Sequence, residues 1–180
     1  MRKTIYKLFW VWDFDKEEKW LNEMAAQGLQ LCRVGYCKYV FEAGLPGEYV
    51  YRLEMLEHWP QHPQSVQYIN FLEDTGAEQI GSLLRWVYFR KKPSGDQGFD
   101  LYSDIDSRIR HLNRILMLTG ILGGLTLLNG LNNLIHLSHY TLANSVIGLL
   151  CLAVALLIGF GFLRLYSKRH KLKKEQFLYE

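Results

Sequence analysis

Two regions of the chain differ in how hydrophobic and polar residues alternate. Between Arg114 and Arg164 lie 49 consecutive residues without Asp, Glu, Lys or Arg. A helix of about 20 residues crosses a bilayer core, so this stretch is long enough for two spans and a turn of roughly ten residues. We expect transmembrane helices at residues 115–134 and 142–165, joined by an external turn at residues 135–141.

In residues 1–98, apolar and polar residues alternate with the periods of strands and helices, as in a folded domain. Apolar residues at alternate positions predict strands, and apolar residues three and four apart predict two helices. Gly28 and Gly76 are typical C-terminal stops for these helices. The helices are expected from Asp15 and from about Gln64, and the strands at residues 4–12, 29–34, 37–41, 48–56, 77–83 and 85–91.

The order of these elements, β-α-β-β-β-α-β-β, contains a βαββαβ core. It predicts an α+β, ferredoxin-like cytoplasmic domain with extra strands, and no internal repeat is evident in its sequence. After a polar linker, Ser103 and Asp106 fit a helix-capping box, and no Pro or Gly follows until Gly120. A juxtamembrane helix at residues 99–114 is therefore expected to continue into the first span and to couple the domain rigidly to the membrane.

Basic residues flank the uncharged stretch on both outer sides. Three precede the first span, six follow the second, and none lies in the turn. Because short loops rich in Lys and Arg stay in the cytoplasm, this distribution predicts that both termini are cytoplasmic. The apolar segment at residues 8–12 is too short for the core of a signal peptide.

Composition excludes several classes of function. Residues 1–100 hold 12 Lys and Arg and 14 Asp and Glu, a net charge of −2 that argues against a nucleic-acid partner. Three cysteines without C-x-x-C spacing are typical of a reducing compartment. The chain has no nucleophile elbow, phosphate loop or dinucleotide fingerprint, so we expect neither an enzyme nor a bound cofactor.

The remaining candidates for acid–base or metal chemistry are four carboxylates and two histidines: Asp13, Asp15, Glu17, Glu18, His58 and His62. The carboxylates could serve a metal-dependent hydrolase, but acidic residues also stabilise a helix N-terminus, and that interpretation is preferred. The two histidines have the spacing of helical metal ligands, but Pro60 between them interrupts a helix. No metal site is expected.

Aromatic residues concentrate in the cytoplasmic part, since all five Trp lie in the first 86 residues. Such density favours either a core filled by large rings, the commoner case, or a site for a flat apolar ligand. We predict a ligand or partner surface at Trp10, Trp12, Trp86 and Tyr88.

Three patterns predict contacts in and near the membrane. Small residues four apart favour close helix packing, within one hairpin or in a homodimer, at Gly120, Gly124, Ala155 and Gly159. Asparagines near the end of the first span, with Asn144 on the second, predict interhelical hydrogen bonds or simple exposure at the headgroups. The basic tail at residues 166–180 predicts binding to anionic lipid through Lys168, Arg169, Lys171, Lys173 and Lys174.

Five segments share a pattern with a known family: FWVWDFDKEEKWLNEMAAQG (9–28), YVYRLEMLE (49–57), FLEDTGAE (71–78), RWVYFRKK (85–92) and SDIDSRIRHLNRI (103–115). Together they resemble the bacterial family of domain of unknown function 2812. The resemblance implies a Gram-positive membrane protein without an established activity. It also implies a role in sensing or regulation, because genes of this family commonly neighbour a PadR-like transcriptional regulator.

These inferences favour a membrane-anchored, non-catalytic sensory or regulatory protein. Its cytoplasmic domain is expected to bind a partner protein or an apolar ligand. The alternative is a small membrane component that handles lipids or hydrophobic drugs, and a hydrolase built on the acidic residues is less favoured.

Overall fold

The computed structural model describes residues 2–93, 99, 101, 105–135 and 142–179, with side chains as far as residue 176. The chain divides into two compact units, Met1–Ser103 and Asp104–Glu180. The predicted domain boundary at residue 98, the capping residue Ser103 and most of the predicted external turn lie outside the described residues.

The described part of the N-terminal unit contains two helices and six strands. Helix α1 is Phe14–Ala26, preceded by a short 3₁₀ helix at Val11–Asp13, and helix α2 is Pro63–Asp74. The strands are β1 (Arg2–Tyr6), β2 (Leu29–Gly35), β3 (Lys38–Ala43), β4 (Val50–Met55), β5 (Glu78–Leu83) and β6 (Trp86–Lys91).

Every helix and strand predicted for this unit is present, and the largest difference is at β1, which was expected to run to residue 12. β1 ends at Tyr6, because the chain leaves the sheet and turns into the 3₁₀ helix, where Asp13 N–H donates to the Trp10 carbonyl. Asp13, not Asp15, therefore precedes α1. Gly28 and Gly76 follow the helices at φ of 79° and 88°, a conformation that side chains disfavour.

The six strands form two antiparallel sheets of three strands. The order is β1-β3-β2 in sheet A and β4-β6-β5 in sheet B. β2 and β5 lie near each other, with a Cβ at Gly81 placed 3.2 Å from the Val34 side chain. The ferredoxin-like topology is not confirmed, because that fold mixes strands of both halves in one sheet, whereas each sheet here is built from one half.

The two sheets repeat one topology. Each half runs strand, helix, strand, strand, and in each half the last strand is the central one. Each second strand carries a bulge, between Leu31 and Arg33 in sheet A and between Gln79 and Gly81 in sheet B. Counted from the glycine that ends the preceding helix, the two bulges fall at the same position. The structure therefore contains an internal repeat of topology that is not evident in the sequence.

Helix α1 anchors the first of two hydrophobic cores. Its apolar face is buried against residues from both sheets, so this helix connects the two halves of the unit. The buried members are Leu21, Met24, Ala25, Leu31, Tyr39, Phe41, Tyr51, Leu53 and Tyr88.

Helix α2 anchors the second core against sheet B. Ile69 and Leu72 of α2 pack with Val87 and Phe89 of β6. Because neighbouring strand residues point to opposite faces, Tyr88 of the same strand faces the first core. Sheet B is thus covered by a helix on each face. Val66, three residues before Ile69 and so expected on the same apolar face of α2, is 41% exposed.

The C-terminal unit is a helical hairpin. Helix α3 (Ile105–Ile135) and helix α4 (Leu142–Tyr179) pack against each other. Both are long and apolar enough to cross a membrane, and only 22% and 17% of their most apolar windows are buried. A core helix of a soluble protein would be mostly buried, whereas large apolar side chains face outward here: Leu125, Leu128, Leu149, Leu150, Leu156 and Phe160.

Candidate functional site

A carboxylate lies inside the first core. Glu17, one turn into α1, is only 8% exposed. Its Oε1 atom accepts hydrogen bonds from two tyrosine hydroxyls, that of Tyr39 at 2.7 Å and that of Tyr88 at 2.6 Å. Tyr39 lies on β3 and Tyr88 on β6, the central strands of the two sheets. One carboxylate oxygen therefore ties α1 to both halves of the unit.

Burial determines the electrostatics of this triad. Loss of water raises the pKa of Glu17 above its ordinary value of 4.5, while the hydrogen bonds from Tyr88 and Tyr39 act in the opposite direction. Burial, followed by the negative charge of Glu17, raises the pKa of both tyrosines. The hydroxyls therefore stay protonated as donors, and the carboxylate is the member of the triad that can change its charge.

Aromatic rings line the side of the triad that Tyr39 occupies. Trp20, one turn after Glu17 on α1, lies edge-on to Tyr39 with ring centroids 5.0 Å apart. Phe9 lies 5.5 Å from Trp20 and 6.3 Å from Tyr39, again between ring centroids. The ammonium of Lys7 lies over two of these rings, 4.9 Å from the Phe9 centroid and 4.5 Å from that of Trp20.

Polar side chains on α1 fix the helix against β4, an outer strand of sheet B. Asn22 accepts from the Tyr51 N–H at 2.8 Å and donates to the Tyr51 carbonyl at 3.0 Å. Glu18 accepts from the Leu53 N–H and from the Arg52 guanidinium, both at 3.1 Å. These bonds engage backbone groups that an added strand would otherwise use, so α1 covers this part of the edge and is held in one rotation.

Three carboxylates of the predicted acidic cluster have different surroundings or partners from those of Glu17. Asp13 pairs with Lys16 at 3.0 Å, Asp15 is exposed, and Glu17 and Glu18 have the partners given above. Within the described part of the chain, no group of three or more His, Cys, Asp or Glu side chains could hold a metal ion.

The two histidines lie at the entry to α2. Their rings are stacked at 4.2 Å, and Nδ1 of His62 accepts from the Gln64 N–H at 3.3 Å. His62 therefore acts as the N-cap of α2. Cys32 and Cys37 are free thiols, with Cys32 Sγ donating to the Val40 carbonyl at 3.2 Å.

The predicted aromatic surface divides between the outside and the core. Trp10 and Trp12 stack with centroids 5.2 Å apart, but Trp10 is exposed whereas Trp12 is buried. Trp86 packs against Phe14 at 5.6 Å, and Tyr88 belongs to the triad. These four residues flank the start of α1 without forming one continuous patch.

Sequence reasoning did not single out Glu17 or the rings of Phe9, Trp20 and Tyr39. Its acidic neighbours make Glu17 look like part of a solvated helix N-terminus. The available signal was its spacing, because Phe14, Glu17, Leu21 and Met24 repeat at three and four residues and so share one face of α1. A carboxylate in the middle of an apolar stripe indicates a buried charge.

The glycines of the hairpin do not all occupy equivalent places. A Cβ at Gly120 would lie 3.3 Å from the Phe162 ring, and Ala155 is buried. A Cβ at Gly124 or Gly159 would meet nothing within 4 Å. The closest approach involves two residues outside the predicted set, Gly130 and Gly148: a Cβ at Gly130 would lie 2.9 Å from the Leu152 side chain and 3.2 Å from the Gly148 carbonyl oxygen.

Polar groups at the ends of the hairpin bond locally. Asn133 donates to the backbone and side-chain oxygens of Asn129 on its own helix, at 2.9 and 2.7 Å. The predicted lipid-contacting residues lie on the last part of α4, which continues as helix to Tyr179: Lys168, Arg169, Lys171, Lys173 and Lys174.

The fold and the site define an α+β domain with a buried carboxylate, joined in one chain to a helical hairpin of membrane-spanning length. The model of a family described as "protein of unknown function (DUF2812)" matches residues 13–123, more than half of the chain. The chain belongs to this family. No curated protein and no solved structure matches it.

Proposed function

We propose that this chain is a membrane-anchored, non-catalytic sensory or regulatory protein. Its N-terminal unit binds an apolar ligand that packs against aromatic side chains. The observation that carries the proposal is the Glu17 carboxylate, buried between Tyr39 and Tyr88 and next to a cluster of rings. A buried charge lowers the stability of a small domain, so its presence calls for a functional reason, and perturbed carboxylates concentrate at binding sites. Ligand sites are mainly apolar, with a few well-placed polar groups.

The membrane anchor is the hairpin of α3 and α4. We place both helices across the bilayer because their apolar side chains point outward, and both termini in the cytoplasm because nine Lys and Arg flank the spans and none lies between them. The basic residues that follow the second span then bind anionic headgroups on the cytoplasmic side.

If the N-terminal unit acts as a sensor, a partner protein must respond to its ligand-bound state. The family resemblance points to a PadR-like transcriptional regulator as such a partner. In this proposal the ligand alters the contact between α1 and the two sheets, since Glu17 bonds to both central strands.

Intrinsic fluorescence tests ligand binding, because all five Trp lie in the N-terminal unit. We expect N-phenyl-1-naphthylamine, a neutral apolar probe, to quench the Trp emission of the full chain in lipid nanodiscs saturably. Trp20→Ala should weaken the affinity several-fold, whereas Trp59→Phe, at a residue 57% exposed in a loop, should not change it.

The same titration can contradict the proposed binding site. Quenching that never saturates and is equal in wild type and both variants would reflect partition into lipid alone. That result would exclude the N-terminal unit as an apolar binding site.

A further inference from the structure

A cation already lies on the aromatic cluster next to Glu17. The Lys7 ammonium is 4.9 Å from the Phe9 ring centroid and 4.5 Å from that of Trp20, and Tyr39 stands edge-on to both rings. The faces of aromatic rings carry negative potential and attract ammonium groups, most strongly when the group is poorly hydrated. We name Phe9, Trp20 and Tyr39 the aromatic cage.

The cage is continuous with the buried carboxylate. Tyr39 forms one wall of the cage, and its hydroxyl donates to Glu17. Trp20 follows Glu17 by one turn of α1, so both side chains lie on the same side of the helix. A positive charge in the cage is therefore close to a negative charge that water screens weakly.

The cage is reachable from solvent. Phe9 and Trp20 are half-buried, whereas Lys7 is exposed and lies just beyond the end of β1. Its backbone N–H donates to the Cys37 carbonyl at 3.0 Å, which holds the main chain in place while the side chain remains free to move. The ammonium can therefore leave the rings without disturbing the sheet.

We propose that the aromatic cage and Glu17 bind a lipophilic organic cation, of the quaternary ammonium or phosphonium class, which replaces the Lys7 ammonium. This inference rests on the proposed function and specifies its ligand. Such cations have apolar substituents that match Trp20 and Phe9, and they are weakly hydrated, so they outcompete a lysine ammonium on ring faces. They also accumulate on the negative side of an energised membrane, where we place this domain.

The test uses two probes of the same shape and opposite charge, tetraphenylphosphonium and tetraphenylborate, titrated into the full chain in nanodiscs. Lys7→Met removes the built-in competitor and should tighten phosphonium binding about tenfold, the scale of a partly desolvated cation–π contact. Lys3→Met removes the same charge from an exposed lysine of β1 and should change the affinity by less than about twofold. Glu17→Gln should weaken binding of the cation and should not weaken that of the anion.

Each outcome decides between distinct conclusions. Tighter phosphonium binding by Lys7→Met but not by Lys3→Met supports the proposal, and this variant lies on the surface, so it stays informative if Glu17→Gln fails to fold. Equal binding of the two probes, or equal effects of the two lysine variants, would overturn the cation assignment. If N-phenyl-1-naphthylamine, the neutral probe, still binds saturably in that case, the proposed function is retained. Only the assignment of the ligand as a cation is then rejected.

Discussion

At the scale of single residues, a carboxylate that is removed from water loses hydration that hydroxyl donors only partly replace. Glu17 is in this position, held by Tyr39 and Tyr88 on opposite sheets. Two donors on one oxygen orient the group and keep part of its charge compensated. The free-energy cost that remains makes the charge of Glu17 sensitive to pH and to a nearby cation.

The raised pKa of Glu17 predicts a specific pH dependence of stability. A proton binds more tightly to the folded state, so this contribution to the free energy of unfolding is complete below the unfolded pKa and is lost as pH rises through the folded one. Gln keeps a similar shape without a charge. From about pH 4 to pH 8, wild type should therefore lose stability relative to Glu17→Gln, measured by denaturant unfolding of the full chain with Trp emission.

Glu23→Gln is the matched control, because Glu23 lies on the exposed face of the same helix. The difference between wild type and this variant should stay flat over the same range. A flat difference for Glu17→Gln as well would show that burial does not govern the charge of Glu17.

Part of this site could be predicted from the sequence. The apolar stripe of α1 and the glycine that ends it are encoded locally, and both were predicted. That Tyr39 and Tyr88 converge on Glu17 depends on two strands far apart in the chain meeting one helix, and no local pattern specifies such a meeting. The cage is equally non-local, since Phe9 and Tyr39 reach Trp20 only after the sheets assemble.

At the scale of elements, the packing of α3 against α4 depends on glycines at particular positions along the helices. Gly130 approaches the Leu152 side chain and the Gly148 backbone, whereas Gly124 faces open space. The pattern of residues four apart identified Gly120 and Gly124 as equivalent, but a helix face is defined by its partner as well as its spacing. Only the packed pair of helices distinguishes the two positions.

Gly130→Val should therefore destabilise the hairpin by about 1–3 kcal/mol, the usual cost of overpacking a close contact. Gly124→Val, with nothing within 4 Å of its Cβ, should leave hairpin stability unchanged. Stepwise unfolding in mixed detergent micelles, followed by circular dichroism, measures both. If the two variants behaved alike, α3 and α4 would not pack through Gly130.

At the scale of the whole molecule, membrane orientation is the property on which the proposal of a cytoplasmic ligand depends. Single cysteines at Ser138, in the predicted turn, and at Ser167, after the second span, report the two sides once the native cysteines are replaced. A membrane-impermeant maleimide should label position 138 in intact cells and position 167 only after permeabilisation. The reverse pattern would place the N-terminal unit outside the cell.

The topology of the N-terminal unit was harder to predict than its elements. Each strand and helix follows from local periodicity, but strand order depends on which edges meet. The repeat is not visible in the sequence because equivalent positions have the same place in the sheet but different residue types. Leu31 corresponds to Gln79, and Tyr39 corresponds to Val87. Bulge position is retained in both copies, and Tyr39 and Val87 are both buried, although the residue types differ.

The doubled strand–helix–strand–strand module creates pairs of equivalent positions. Counted back from the glycine that ends each helix, the counterpart of Glu17 is Ser65, which is also buried, at 4% exposure. Because both modules belong to one chain, equivalent positions can carry different residues, which two identical modules in a symmetric pair could not do. Here one copy holds an ionisable side chain at this buried position and the other holds a neutral one.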